Sequence, residues 1–440
     1  MNLKIQPVAF GSVDWLSRAK LDMELKPTAR ELAVRRLPKI SEDLRDVELF
    51  DLCEVDSSDD IGKMVELSRE ADMILVLAAE LLSVKHAAKA LSAVRIPVVI
   101  ACEDSRPGAV FSDMYGCLKA DQHDVYLTLD EIELQTLAQV IRAKKRLANT
   151  KALLIGDGYP SHSQVANPDS ARVVEEKLGV VIVQRSIADL RSQWEAADED
   201  AAKAQAQVWL DGAKAVADSA RRDIVQSAKM YLAMKSMIKE VGANALTIDC
   251  RAWDLLSCEE FHSFYSPCMG LTTLRWEGIL ASCEADICAM LSMCMLNYVS
   301  ELPPFLGNIG KVDRERGSVG IGGHASCTVN MDGKGDKLEG YNLRDYGGRG
   351  GVASYCSNEG GDDVTIARLD KNLNYLSVAA GKTLPTQQCF EVALGDVDDF
   401  IHRCLVGDHH IVVYGDHLKE MTMLARMLDI NVLTPKPTVI

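Results

Sequence analysis

Long apolar runs are missing from this chain. No stretch reaches the roughly 20 consecutive apolar residues that cross a bilayer, so a membrane is not an expected partner. Basic charge is short as well: 48 Lys and Arg stand against 64 Asp and Glu, a formal net charge of -16. Nucleic acid needs clustered Lys and Arg to neutralise its phosphates, and it is not an expected partner either. The acidic balance fits a neutral or cationic substrate, or solubility alone. Zinc-ligand spacing is absent too. The 13 cysteines are odd in number and scattered, without a C-x-x-C pair, and most sit in apolar runs such as Ile287-Cys288-Ala289-Met290. Buried free thiols in a reducing compartment account for them better than a disulfide framework. The opening segment, Met1 to Trp15, is amphipathic with one lysine and lacks the basic-then-apolar order of a signal peptide. A cytoplasmic location is expected.

What is there is an ordinary folded composition, 48% apolar and 25% charged, over 440 residues. That length exceeds a single core and calls for two or three domains. In the first part, Val47–Glu54, Met73–Ala79 and Val98–Cys102 read as buried strands, with helical patterns at Asp59–Ala71 and Val84–Val94 between them. Such alternation implies parallel βαβ units in a doubly wound sheet. After a helix from Leu129 to Leu147, a second α/β unit opens with the strand Lys151–Ile155 and Gly156-Asp157-Gly158. The full G-x-G-x-x-G spacing and a Walker lysine are lacking there, so the glycines make a turn and not a nucleotide site. The Ala/Asp/Glu/Lys run from Glu195 to Lys214 reads as a solvated helix face. Strands Ala245–Cys250, Val364–Ile366 and His410–Tyr414 follow, and glycine is dense from Gly307 to Gly361. The expected class is α/β: two doubly wound α/β domains, 1–150 and 151–310, then a β-rich C-terminal domain, 311–440, with a closing helix at Leu418–Leu428 and a last strand at Ile430–Leu433.

Chemistry concentrates between Gly278 and Asp313. Cys283-Glu284-Ala285-Asp286 opens a strongly apolar helix, and a strand follows two prolines at Pro303-Pro304. Two acids at a helix start have a plain reading, since carboxylates favour that end. The segment also resembles the core motif of the L-fucose isomerase and L-arabinose isomerase superfamily, in which a Cys-Glu-x-Asp turn begins a helix and a carboxylate follows on the next strand. Leu405–His417, reading LVGDHHIVVYGDH, resembles the terminal strand of that family, and the helix and strand after it match its last elements. The resemblance implies a fucose isomerase-like fold, a homo-oligomer, and aldose–ketose isomerisation of a fucose- or arabinose-like sugar on Mn2+, or another divalent cation such as Mg2+. It makes Glu284 the first metal ligand, with one of the two ligand positions, Glu284 or Asn308, serving as the proton-transfer base. At the spacing of the second ligand it puts Asn308, where the family has Asp. It makes His409 a ligand and sugar contact, with His410 on the opposite face because side chains alternate along a strand.

Such a reaction moves a proton between adjacent carbons. A carboxylate takes and returns it, and a divalent cation steadies the enediolate oxygens. Oxygen and imidazole donors suit manganese or magnesium, which leaves Cys283 a packing residue. The resemblance extends to His324, in Gly322-Gly323-His324, as a sugar contact; a turn histidine is the alternative. Arg344 and Arg349 can orient an acidic substituent or pair with acids such as Asp345. With an amide at Asn308, the base is Glu284 or another acid such as Asp286 or Asp313. Three functions stay open: the isomerase, a divergent lyase or hydrolase of sugars or glycosides, and a non-catalytic sugar-binding protein.

Overall fold

The computed structural model describes residues 2–11, 28–80, 83–103, 108–121, 124–159, 166–250, 265–323, 331–334, 340–346, 349–386 and 390–436. Contacts divide the chain into two units, Met1–Lys145 and Arg146–Ile440. Among the described residues no helix is long and apolar enough to cross a membrane.

The first unit holds β1 (Leu3–Phe10), β2 (Val47–Leu49), β3 (Cys53–Val55), β4 (Met73–Ala79), β5 (Val98–Ala101) and β6 (Val125–Thr128). They form a parallel sheet of order β2-β1-β4-β5-β6, with β3 also beside β1. The unbroken apolar run of β4 is buried almost throughout, as parallel strands are. The central β1 departs from the sequence reading, which saw only an amphipathic run there. Lys4 and Gln6 interrupt its apolar pattern, yet Gln6 is buried and its side-chain N–H donates to Asp51 O at 2.8 Å. The single strand expected at Val47–Glu54 is two short ones. Ile5 O accepts from Phe50 N at 2.9 Å. Pro7, facing the same side two residues on, has no N–H to continue that ladder.

The second unit carries a parallel sheet made of β7 (Lys151–Ile155), β8 (Val181–Arg185), β10 (Ala245–Ile248) and β11 (Leu280–Cys283), in the order β11-β10-β7-β8. The acidic Ala-rich run forms the helix Glu199–Gly212, with Ala202, Ala206 and Trp209 buried on one face. It then turns into a strand, β9 (Ala213–Val216), which joins β14 (Tyr341–Tyr346) and β15 (Arg349–Tyr355) in a small sheet.

The glycine-dense C-terminal part is β-rich, as expected. It comprises β12 (Phe305–Asp313), β13 (Ser318–Gly323), β16 (Asp363–Leu369), β17 (Tyr375–Leu384), β18 (Phe390–Ala393), β19 (His409–Tyr414) and β20 (Asn431–Leu433). The antiparallel order β16-β19-β12-β13-β18-β17 closes on itself through β16–β17 pairing, and β20 adds to β17. The ring is a six-stranded barrel filled by Phe305, Ile321, Ile366, Phe390 and Val412 among others. Between barrel and parallel sheet lies the helix Ile287–Ser300, buried at every position but Asn297 and Ser300. A helix apolar all round is a core helix. Its N-terminus is where the two sheets meet.

Candidate active site

The residues singled out around Glu284 come from that meeting point. β11 ends at Cys283, and Glu284 and Ala285 both adopt the left-handed conformation, φ 60 and 52. The helix starts only at Ile287, so Glu284 stands in a turn before it and not inside it. Asp286 is the cap, its Oδ1 accepting from Ala289 N at 2.8 Å. Two L-residues with positive φ cost about 1–3 kcal/mol each. The turn persists because its neighbours fix it: Ala285 N donates to Ile248 O at 2.9 Å and Asp286 N to Cys283 O at 3.2 Å.

The barrel supplies the other half. Asn308 on β12 lies directly opposite His409 on β19, so both side chains stand on one face. His409 is fully buried; its Nδ1 is 2.7 Å from Asp286 Oδ2 and its Nε2 is 3.4 Å from Glu284 Oε2. Asp286 Oδ2 also accepts from Arg368 Nη1 at 2.6 Å, and both of those side chains are buried. Glycine is required twice. A Cβ on Gly307 would lie 2.6 Å from Gly322 O, and one on Gly407 2.5 Å from Arg368 Nε. His410 points the other way, its ring against Phe400 at 5.9 Å.

Burial and charge set the protonation. Burial alone would raise the Asp286 carboxyl, but Arg368 and His409 overcome it and hold the pKa down at about 2. Burial likewise opposes charge on His409, yet the hydrogen bonds to Asp286 and Glu284 lift it to about 9. His410, with no such partner, is pushed down by burial to about 4 and is neutral. The Cys283 thiol is held well above its ordinary value by a hydrogen bond with Cys250 and by burial. It stays a neutral packing group, as expected.

A divalent ion has a donor set to meet here. Among the described residues no group of three or more His, Cys, Asp and Glu is arranged to hold a metal. An amide oxygen can complete a smaller set. Asn308 Oδ1 is buried and has no hydrogen-bond partner among the described residues. Together with the Glu284 carboxylate and His409 Nε2 it gives two hard oxygens and an imidazole, a set that fits manganese or magnesium. Asp286 is committed to His409 and Arg368 and sits behind the imidazole, the arrangement that orients metal-binding histidines.

Asp313 sits in the β12–β13 hairpin, accepting from Arg316 N at 3.1 Å and pairing with Lys311 at 3.2 Å, so it is no stand-in for the base. Arg344 is exposed on β14, its guanidinium stacked 3.5 Å over the Tyr355 ring. Asp345 accepts from Ser219 Oγ. His324 and the Arg349 side chain lie outside the described residues. Sequence reasoning missed Arg368, which has no signal in an alternating strand.

No family model matches the chain. It is similar to sulfoquinovose isomerase. The proteins of that name from Priestia aryabhattai and Priestia megaterium are each 24% identical to it over 321 residues, 66% of this chain and 66% of theirs. The match thus spans just under two thirds of the length of those relatives. Their name is that of an isomerase, the class expected from the Cys-Glu-Ala-Asp segment.

Proposed function

We propose that this chain is a metal-dependent aldose–ketose isomerase of sugars with a fucose isomerase-like fold. The observation that carries the reading is the approach of Glu284 Oε2 to His409 Nε2, 3.4 Å, from segments distant in sequence. Glu284, Asn308 and His409 would hold the ion. Mn2+ or Mg2+, when bound, would supply Lewis-acid stabilisation of charge developing on the sugar oxygens. Glu284 is the base that carries the proton between adjacent carbons. Asp286, pinned by Arg368, keeps the His409 ring aimed at Glu284. The burial of these groups excludes water from the reacting carbons. Arg344, desolvated on one face by Tyr355, suits an anionic substituent, and His324 is a further sugar contact. A homo-oligomer in the cytoplasm completes the reading.

The substrates to test are sulfoquinovose, after the relatives' name, and L-fucose and L-arabinose. Purified protein loaded with manganese should interconvert at least one with its ketose, followed by NMR. Bound metal with no interconversion of any sugar would sink the isomerase and favour the second reading, a divergent lyase or hydrolase, which Asn308 supports. Asn308→Asp separates the two. An added carboxylate opposite His409 should tighten manganese binding by charge. An isomerase should keep or gain turnover, whereas a site fitted to the amide for another reaction should lose it. Unchanged metal binding would mean that Asn308 does not face the ion.

Metal uptake should also depend on pH. Ligation needs the Nε2 lone pair, and in metal-free protein His409 keeps its proton up to about 9. Manganese affinity should therefore rise between pH 7 and that value, with a proton released on binding. Calorimetry in buffers of different ionisation enthalpy measures the release; a pH-independent affinity would remove His409 from the ligand set.

A further inference from the structure

We propose that Asn167 is a positioning residue for Glu284. The proposal rests on the reading of Glu284 as metal ligand and base. Asn167 belongs to the segment between β7 and the helix Ala171–Leu178, far in sequence from the Glu284 turn. Its side-chain amide nevertheless makes two hydrogen bonds there. Nδ2 donates to Ala285 O at 2.8 Å, and Oδ1 accepts from Ile287 N at 2.9 Å.

The two bonds straddle Asp286. The carbonyl belongs to a left-handed residue, after the strand has ended, where no ladder partner serves it. The N–H is the first of the helix Ile287–Ser300, one of the donors that a helix cannot satisfy internally. A primary amide supplies a donor and an acceptor in one rigid plane, which a carboxylate or hydroxyl does not. It therefore fixes both peptide planes around Asp286, and with them the path that sends Glu284 toward His409 and Asp286 behind it. The mount of Asn167 is itself constrained. Pro168 follows it and restricts its backbone to extended conformations. Ser170 then caps the next helix, accepting from Val173 N at 3.4 Å. The strained turn, tied on one side by Ala285 N and Asp286 N, is held on the other by the Asn167 amide.

The test compares Asn167→Ala and Asn167→Asp with wild type and with Glu284→Gln. Asn167→Asp is isosteric and keeps the acceptor but loses the donor, so it carries the comparison should the alanine variant fail to fold. In metal-free protein, amide exchange across residues 285–288 should quicken about 2–10-fold, as for a lost hydrogen bond. Manganese affinity, read by electron paramagnetic resonance, should fall about 10-fold or more. At saturating manganese kcat should drop about 10-fold with KM for the sugar little changed, as for a displaced catalytic group. A purely structural staple would lower the melting temperature and leave the kcat-to-KM split alone. Unchanged exchange overturns the proposal. So does faster exchange with wild-type affinity and kcat, provided that Glu284→Gln has lost both. If Glu284→Gln itself keeps metal and turnover, the functional reading has failed, and the role of Asn167 falls with it by that separate route.

Discussion

Glu284→Gln is expected to cut turnover by at least about 10²-fold, the scale of losing an acid–base group, and to weaken manganese binding in the same protein. Both losses follow from one atom replacement. The amide keeps the size and an oxygen, so the turn and the helix cap beside it stay in place, and Asp286 keeps its bonds to Ala289, Arg368 and His409. What disappears is the negative charge facing the imidazole and the capacity to accept a proton from carbon. With Asn308 neutral, Glu284 supplies the only formal charge of the proposed ligand set, so its removal should cost more affinity than in a site with two carboxylates. Circular dichroism should overlay wild type, while metal content after dialysis and isomerisation rate both fall. Near-normal turnover would refute the enzyme as located here. Lost turnover with full metal binding would keep the base and expel Glu284 from the ligand set.

How far the sequence foretold this arrangement depends on which force shapes each piece. β4, β5, β7 and β10 are short and apolar apart from Lys151 and Thr247, and such runs read as buried parallel strands without further help. β1 does not read so, because Lys4, Gln6 and Pro7 obscure it, and the buried Gln6 side-chain N–H is taken up by Asp51 O and Pro7 O. β9 is less visible still. Ala213-Lys214-Ala215-Val216 continues the composition of the helix before it, and only pairing with β14 makes it extended. Propensity is local, and the partner that overrides it lies more than a hundred residues away.

In the site, the Asp286 carboxylate does two things. Oδ1 caps the helix, as any acid at that position would, while Oδ2 holds His409 and Arg368. Sequence alone offered the acid at a helix start or a proton-transfer base, and not the bonds to His409 and Arg368. Glu284 and His409 were legible through resemblance and not through spacing, since nothing in the chain between them announces that β11 and β19 converge. The left-handed turn was illegible for a physical reason: neither Glu284 nor Ala285 is a glycine, so the usual marker of positive φ is missing.

Arg368→Met tests the buried charge behind the site and should be the most destabilising change described here. Arg368 and Asp286 have 2% and 0% of their side chains exposed and bond at 2.6 Å. Removing one member of such a pair typically costs about 3–5 kcal/mol, because the other charge stays buried without compensation. The pH sense follows from Asp286. Its folded pKa of about 2 lies below the ordinary value of about 3.9. The carboxylate therefore adds stability that is full above the ordinary value and is lost as pH falls toward the folded one. Without the guanidinium that depression shrinks, so Arg368→Met should unfold at a higher pH on acidification as well as at lower urea. A lost packing contact would also raise the acid midpoint but would leave the stability gap between variant and wild type constant with pH, whereas a stranded carboxylate makes that gap narrow as pH falls and Asp286 is protonated. The double variant Arg368→Met with Asp286→Asn separates charge from shape. It removes the stranded carboxylate, so it should recover much of the stability lost by the single variant. Manganese affinity should not recover, because His409 has lost the carboxylate that orients its ring, a change worth about 10–100-fold. If the double variant is no more stable than Arg368→Met, the loss was one of packing. If it also binds manganese like wild type, Asp286 does not position His409, and the ion would have to be held without that support.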